Sequence, residues 1–458
     1  MPFRTDDLSL VMVAFAVFMT FCVSVYRGRR GLFSSLTPWI FCVFVCLSAL
    51  AEDWLLFVIF MELSSFALVF IVGERDWRAG RFYLYTQLAG GGLLMVGIAL
   101  GSGQGFSIPM GPVPETAFPL FLFGLGIKAA LPGLHFWLPR TYSEAPAEVG
   151  ALSSSCAVKM GLYGFFRIVQ SASPVLMGLG AFMAVFGAVM GPLQRDSRRL
   201  LAYSTLSQVG FIVAAISTAT ELGRFAAMAH IVSHGLAKGL LFFSAGGLEK
   251  AWGTGDLGLT GRTVESHRWM FFLFLLGALS MVGFPLTAGG WSKGLVKQSL
   301  EGYGPVLMAL TISGIGTSIS LCKMAYYGFL SPFFKRKGLP VEGKVSCSVG
   351  YSMALICLVL VSVGFMPPCG SVELSINSAL PALLGLTIFT LMPAPFRPVA
   401  RPKDVEDLIP FFQKLASDFA LRLRKRHSGN IGVYLFTLAI VAFAILNFLQ
   451  IGVNILRR

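Results

Sequence analysis

Apolar runs of about 20 residues, separated by short polar connections, fill almost the whole chain. They fall near 8–27, 32–50, 54–73, 81–101, 117–135, 147–170, 174–193, 199–218, 223–248, 268–300, 304–330, 347–366, 373–393 and 431–454. Each is long enough to cross a bilayer as a helix, giving roughly 14 transmembrane helices. Spanning backbone must satisfy its own polar groups, so the pattern predicts an all-α polytopic membrane protein. The run at 268–300 is too long for one straight crossing and is expected to be broken.

The connections sort by charge. Arg27, Arg29 and Arg30, then Arg75, Arg78 and Arg81, then Arg195, Arg198 and Arg199 occupy odd-numbered loops, as do Lys250, Arg262 and Arg268. Even-numbered loops and the termini hold only Arg4, Arg167, Arg224, Arg457 and Arg458. Basic loops stay on the cytoplasmic side, so both termini are expected on the outer face.

Composition agrees with the spans. The chain is 55% hydrophobic and 13% charged, whereas a soluble domain carries about 25% charged residues. The net charge of +14 is interrupted by apolar spans and builds no continuous basic face, which excludes nucleic acid as a partner. The eight cysteines form no CxxC pair, so neither zinc nor an iron–sulfur cluster is signalled. A bis-histidine haem would need histidines on facing helices, and no cofactor or metal is expected in this chain. The first span follows Arg4 and Asp6-Asp7 without a small-residue cleavage site, so it reads as a retained helix.

The informative departures lie inside the spans. Lys128, Lys159, Lys238, Lys293, Lys297 and Lys323 all fall in apolar stretches. Each costs roughly 2.5–3.5 kcal/mol at membrane depth, and such residues mark ion or proton paths by default. Glu62 sits mid-span, and Lys128 is its natural partner by depth; a static ion pair is the plain alternative. His230, His234 and Lys238 recur every four residues and share one helix face, as a proton relay or as polar contacts between helices. Lys297 lies one turn past Lys293 and is long enough to snorkel to the interface. Lys323 is nearer the end of its span, and it ranks with His135 below the others.

Two breaks and one repeat accompany these charges. Pro132 follows Lys128 by four residues, and Gly283-Phe284-Pro285 precedes Lys293, so both spans should be unwound beside a lysine. The motif KMGLYGF at 159–165 returns as KMAYYGF at 323–329, and Lys128 and Lys293 are separated similarly. The shift moves five spans along, an odd number, which inverts orientation. Two inverted five-helix repeats follow from it.

These residues resemble a known family. Gly126-Ile127-Lys128, Leu134-His135-Phe136-Trp137-Leu138-Pro139, Ala145-Pro146 and Lys159-Met160-Gly161-Leu162-Tyr163-Gly164 are similar to blocks of the antiporter-like subunits. Residues 196–210, 230–246 and 283–293 supply further blocks. The family includes proton-pumping membrane-arm subunits of respiratory complex I, large subunits of Mrp Na⁺/H⁺ antiporters, and counterparts in membrane-bound nickel–iron hydrogenases and formate hydrogenlyase. The resemblance implies a repeat core at 32–170 and 171–330, flanked by a peripheral helix at 1–31 and peripheral spans at 331–400. It implies that Glu62 and Lys128 form a coupling pair, Lys159 a relay, His230, His234 and Lys238 a central link, and Lys293 the terminal lysine. The glutamate falls in the third span, two helices earlier than usual; Arg198 stands where many relatives have lysine, and Arg140 where an acidic residue is usual.

Residues 401–428 are amphipathic, with Leu408, Phe411, Phe412, Leu415 and Phe419 on one face, and precede the last span at 429–458. This segment resembles a lateral helix laid along neighbouring subunits; an interfacial helix on anionic lipid fits equally. The function expected is proton translocation within a multi-subunit redox-driven complex of hydrogenase or quinone-oxidoreductase type, in a bacterial or archaeal cytoplasmic membrane. Other membrane subunits, protons and lipids are the expected partners. The alternatives are an Mrp-type Na⁺/H⁺ antiporter subunit, with sodium as the ion, and the membrane partner of an inorganic-carbon uptake system.

Overall fold

Aspartate, serine and threonine start seven of the helices, among them most of the long ones: Asp6, Asp53, Asp76, Ser173, Asp196, Thr220 and Thr287 are their caps. The structure, a computed structural model, describes residues 3–28, 30–103, 107–331, 345–365, 379–392 and 396–398. The amphipathic segment at 401–428 and the last span lie outside the described residues. Helices α1 (Asp7–Arg27), α2 (Leu32–Leu50), α3 (Trp54–Gly73) and α4 (Trp77–Gly101) follow one another closely. Asp6, Asp53 and Asp76 cap α1, α3 and α4, each accepting a hydrogen bond from a first-turn N–H.

The fifth span is broken. Helix α5 (Phe118–Lys128) stops at Lys128, and α6 (Trp137–Glu144) resumes after an irregular stretch. The span expected to close at 135 therefore runs on to Glu144. Pro132 has no N–H to give the Lys128 carbonyl, and Ala130 and Gly133 take positive φ. The Ile127 carbonyl at the break accepts from the Ala130 N–H at 3.2 Å and from the Trp137 indole at 2.8 Å, which ties α6 back to the end of α5.

Next come α7 (Ala147–Leu152), a π-turn at Ser153–Ala157 and α8 (Val158–Ile168) as one nearly continuous rod. The widened turn is absent from the sequence reading. Helices α9 (Pro174–Leu193), α10 (Ser197–Ile216) and α11 (Glu221–Trp252) complete the middle of the bundle. Every residue of α10 is buried, so this helix is the core. It packs closely on α9, where a Cβ at Gly180 would come within 2.7 Å of the Ala214 N–H.

A short α12 (Thr263–Ser266) precedes the second broken span, α13 (Arg268–Val282) and α14 (Ala288–Ser299). Gly283, at φ +86, closes α13 in the left-handed conformation that glycine adopts without strain. Helix α15 (Gly304–Ala325) ends in a second π-turn, Tyr326–Leu330, and α16 (Cys347–Phe365) and α17 (Leu380–Leu391) follow. Nine of these helices are long and apolar enough to cross a membrane, and α5, α13 and α17 are shorter apolar helices. Apart from three isolated bridges, every regular element among the described residues is helical.

Candidate functional site: a buried row of carboxylate, amines and imidazoles

The expected lysines are deeply buried. Lys159, Lys238 and Lys323 are fully enclosed, Lys128 is 2% exposed and Lys293 6%. The row begins where α3 faces α4 and α5. Glu62 and Lys128 form an ion pair at 2.5 Å, and the Ser65 hydroxyl accepts from the same amine at 3.4 Å. Gly91 of α4 makes the space: a Cβ there would collide with the Glu62 carboxylate. Glu62 keeps 16% of its side chain exposed, against 2% for its partner, but both carboxylate oxygens are buried, so the charged ends of the pair are enclosed.

Helix α8 crosses α5 at the break. A Cβ at Gly161 would lie 2.6 Å from the Ala129 nitrogen and 3.0 Å from the Lys128 Cβ, so nothing larger than glycine permits this approach. Half a turn away, Lys159 Nζ lies 3.0 Å from His234 Nδ1 of α11. The His234 and His230 rings are 6.2 Å apart along α11. His230 Nδ1 is 3.0 Å from the Ser292 hydroxyl, and its Nε2 is 3.3 Å from Gln208 Oε1 on α10. Ser233 also meets Ser292, at 2.6 Å. Lys293, the next residue, donates to the Met281 carbonyl at 2.7 Å and stands 5.0 Å above the Phe211 ring.

The structure thus brings Glu62 to Lys128, Lys159 to His234, and His230 to the residue preceding Lys293. Lys238 departs from the row: although it shares the histidine face, its amine donates to the Leu201 carbonyl at 2.7 Å and to the Ser204 hydroxyl on α10. Lys323 donates to the Pro192 and Gln194 carbonyls, each at 2.7 Å, and so caps the end of α9. His135 lies in the first break against Phe186 and Tyr203, ring centroids 5.2 and 6.3 Å away. Among the described residues no group of three histidine, cysteine or carboxylate side chains could hold a metal ion.

Sequence reasoning missed the neutral members. Ser65, Gln208, Ser233 and Ser292 stand beside the titratable groups: Ser65 is one turn from Glu62, Ser233 one turn from His230 and Ser292 next to Lys293, while Gln208 carries no local signal. It also missed the clamps at the ends of the row. Glu148, in the first turn of α7, is 3% exposed and pairs with Arg27 at 3.0 Å and Arg30 at 3.2 Å. Arg198 donates to the Ala145 and Ser143 carbonyls at 2.5 and 2.7 Å and pairs with Glu249 at 3.1 Å. Its planar fork holds the 143–145 connection, a task a lysine would not reproduce. Arg140 lies 4.4 Å over the Phe82 ring and pairs with Glu144. Outside the spans, burial raises the Asp196 carboxyl against the pull of Arg198. Burial also opposes ionisation of Asp6, yet hydrogen bonds from Arg167 and Ser9 hold it well below the usual range.

Broken helices in an all-helical bundle of membrane-length spans define a polytopic membrane subunit as the class. Residues 51–320 match the family model described as NADH:quinone oxidoreductase/Mrp antiporter, transmembrane, and the chain belongs to that family. It is 33% identical to NADH-quinone oxidoreductase subunit N of Desulforudis audaxviator over 314 residues, 62% of this chain and 61% of the relative. It is 27% identical to hydrogenase-4 component B of Escherichia coli over 394 residues, 75% of this chain and 58% of the relative. The chain therefore spans about three-fifths of these relatives. The fold matches a chain of the archaeal membrane-bound sulfane sulfur reductase with TM-score 0.72 and 20% identity, covering 97% of this chain and 89% of that one.

Proposed function

We propose that this chain is the proton-translocating subunit of a multi-subunit redox complex, of hydrogenase or quinone-oxidoreductase type. Its place is the cytoplasmic membrane of a bacterium or archaeon, with both termini outside and the arginine-rich loops on the cytoplasmic side. Protons load and leave along Glu62, Lys128, Lys159, His234, His230 and Lys293. The observation that carries this reading is the 3.0 Å contact between Lys159 and His234, because it bridges α8, which packs on the Lys128 break, to α11, which meets Ser292 beside Lys293. Two basic groups at that distance cannot both hold a proton without repulsion, so loading one favours unloading the other.

Electron transfer in a neighbouring subunit would change the charge beside Glu62. Its ion pair with Lys128 would then tighten or loosen, altering the proton affinity of the lysine and, through like-charge repulsion, of the next station. The two repeats, at 32–170 and 171–330, each contribute one broken helix with a lysine beside the break. Neighbouring membrane subunits are the partners, with lipid around the remaining apolar faces. Replacing Lys128 or Lys293 with alanine tests the proposal: a fully assembled variant complex that still pumps protons at the unsubstituted rate would sink it.

An Mrp-type Na⁺/H⁺ exchanger is the second reading, because the family description covers both. Sodium prefers oxygen ligands, and the row offers one carboxylate already paired with an amine at 2.5 Å. A sodium requirement of the purified complex would favour this reading, and co-purification of a carbon-uptake protein would favour the third.

A further inference from the structure

We infer that Lys297 is the outlet of the path, receiving a proton from Lys293 through a water-holding cavity and passing it to the membrane face at the 300–303 turn. The inference rests on the proton-path reading above. Lys293 and Lys297 lie one turn apart on α14 and share a face. Both line a single cavity of about 30 Å³, together with Phe211, Gly283, Leu310 and Gly314. A water needs roughly 10–15 Å³ of such volume, so the space suits about two waters. The two amines and the backbone beside Gly283 and Gly294 give those waters polar partners.

Exposure rises along the helix in the same direction. Ser292 is fully buried and Lys293 6% exposed, while Lys297 is half-buried and Gln298 exposed. Four residues past Lys297, Glu301 stands exposed in the turn that reverses the chain. Ionisable groups thus recur at 293, 297 and 301, from the bundle interior to its surface. Lys323 is tied to two carbonyls, whereas Lys297 has no hydrogen bond or ion pair among the described residues. Its amine is free to turn between cavity and surface. In the transfer, the Lys293 ammonium gives a proton to a cavity water, a proton from that water chain joins the neutral Lys297 amine, and Lys297 releases it outside. Only N–H and O–H bonds change.

Snorkelling is the competing role, and arginine separates the two: it keeps the stem and charge but does not release its proton. Membrane vesicles carrying the assembled parent complex, driven by its own reaction, would be followed with a pH-gradient dye. Lys297→Arg is expected to lower proton transport roughly tenfold or more, and Lys297→His to restore much of it. Wild-type transport by an assembled Lys297→Arg complex overturns the inference. Should the arginine variant fail to assemble, Lys297→Met decides: undiminished transport overturns the inference, and a loss absent from Lys297→His supports it. Lys293→Ala is run alongside. If it alone abolishes transport, the path stands and only the outlet fails; if it too transports normally, both fall.

Discussion

Lys293 donates to the Met281 carbonyl at 2.7 Å, and Met281 is the residue that Pro285 leaves without its helical partner. In an unbroken helix the N–H of residue 285 would occupy that oxygen. Proline has none, and Gly283 has already turned the chain out of the helix, so the break leaves that oxygen to the lysine. The amine settles at membrane depth because a carbonyl there lacks a donor.

Pro285→Ala is therefore expected to impair transport without unfolding the chain. Alanine supplies the N–H that proline lacks, and that N–H competes with Lys293 for Met281. Transport in vesicles should fall several-fold while assembly, read by co-purification, is kept. Unchanged transport would separate the break from the lysine.

Gly91→Ala and Gly92→Ala make a matched pair. A Cβ at Gly91 collides with the Glu62 carboxylate, whereas one at Gly92 meets nothing within 4 Å. The first should reduce transport as Glu62→Gln does, and the second should leave it intact. Equal effects would mean that helix propensity, and not room for the carboxylate, matters here.

Lys159 and His234 should behave as one unit. Lys159→Met and His234→Phe are each expected to lower transport by roughly 10²-fold, and the double variant by little more than either. Fully additive losses would place the two groups on separate routes.

Asp6 anchors the N-terminal end of α1. It accepts from the Ser9 N–H, and both oxygens pair with Arg167, at 2.6 and 2.9 Å. Its folded pKa is depressed, so its stabilisation is complete above the ordinary carboxylate value of about 3.9 and is lost as pH falls through the lower folded value. Asp6→Asn keeps a capping oxygen but loses the charge that pairs with Arg167, and should lower stability at pH 7 by about 1 kcal/mol. The gap between the two proteins should close in strong acid, as followed by thermal unfolding in detergent.

The spans and the breaks were legible because lipid allows so few backbone solutions. A run of about 20 apolar residues with a proline in it can only be a helix that ends or bends. The first thirteen predicted spans each contain helix among the described residues. Depth also placed Glu62 with Lys128. Depth could not say which way Lys238 points: it shares a face with His230 and His234, yet bonds to α10. Nor could it separate Lys323, a cap on α9, from the amines of the row. Those assignments depend on which neighbour supplies an oxygen, and that is set by packing between helices far apart in sequence. Glu148 shows the same limit, since a carboxylate at a span's end is buried only because two arginines from another loop cover it.

The π-turn at Ser153–Ala157 stands just before Lys159 in the chain. It holds one residue more than an ordinary turn, so a deletion there closes it to an α-turn and leaves the helix beyond facing almost as before. A residue added there has no such slack and would turn Lys159 by about 100°, away from His234, with every side chain of the row still present. The turn is thus a reserve of one residue, and the protein should tolerate a single deletion at 153–157 far better than a single insertion.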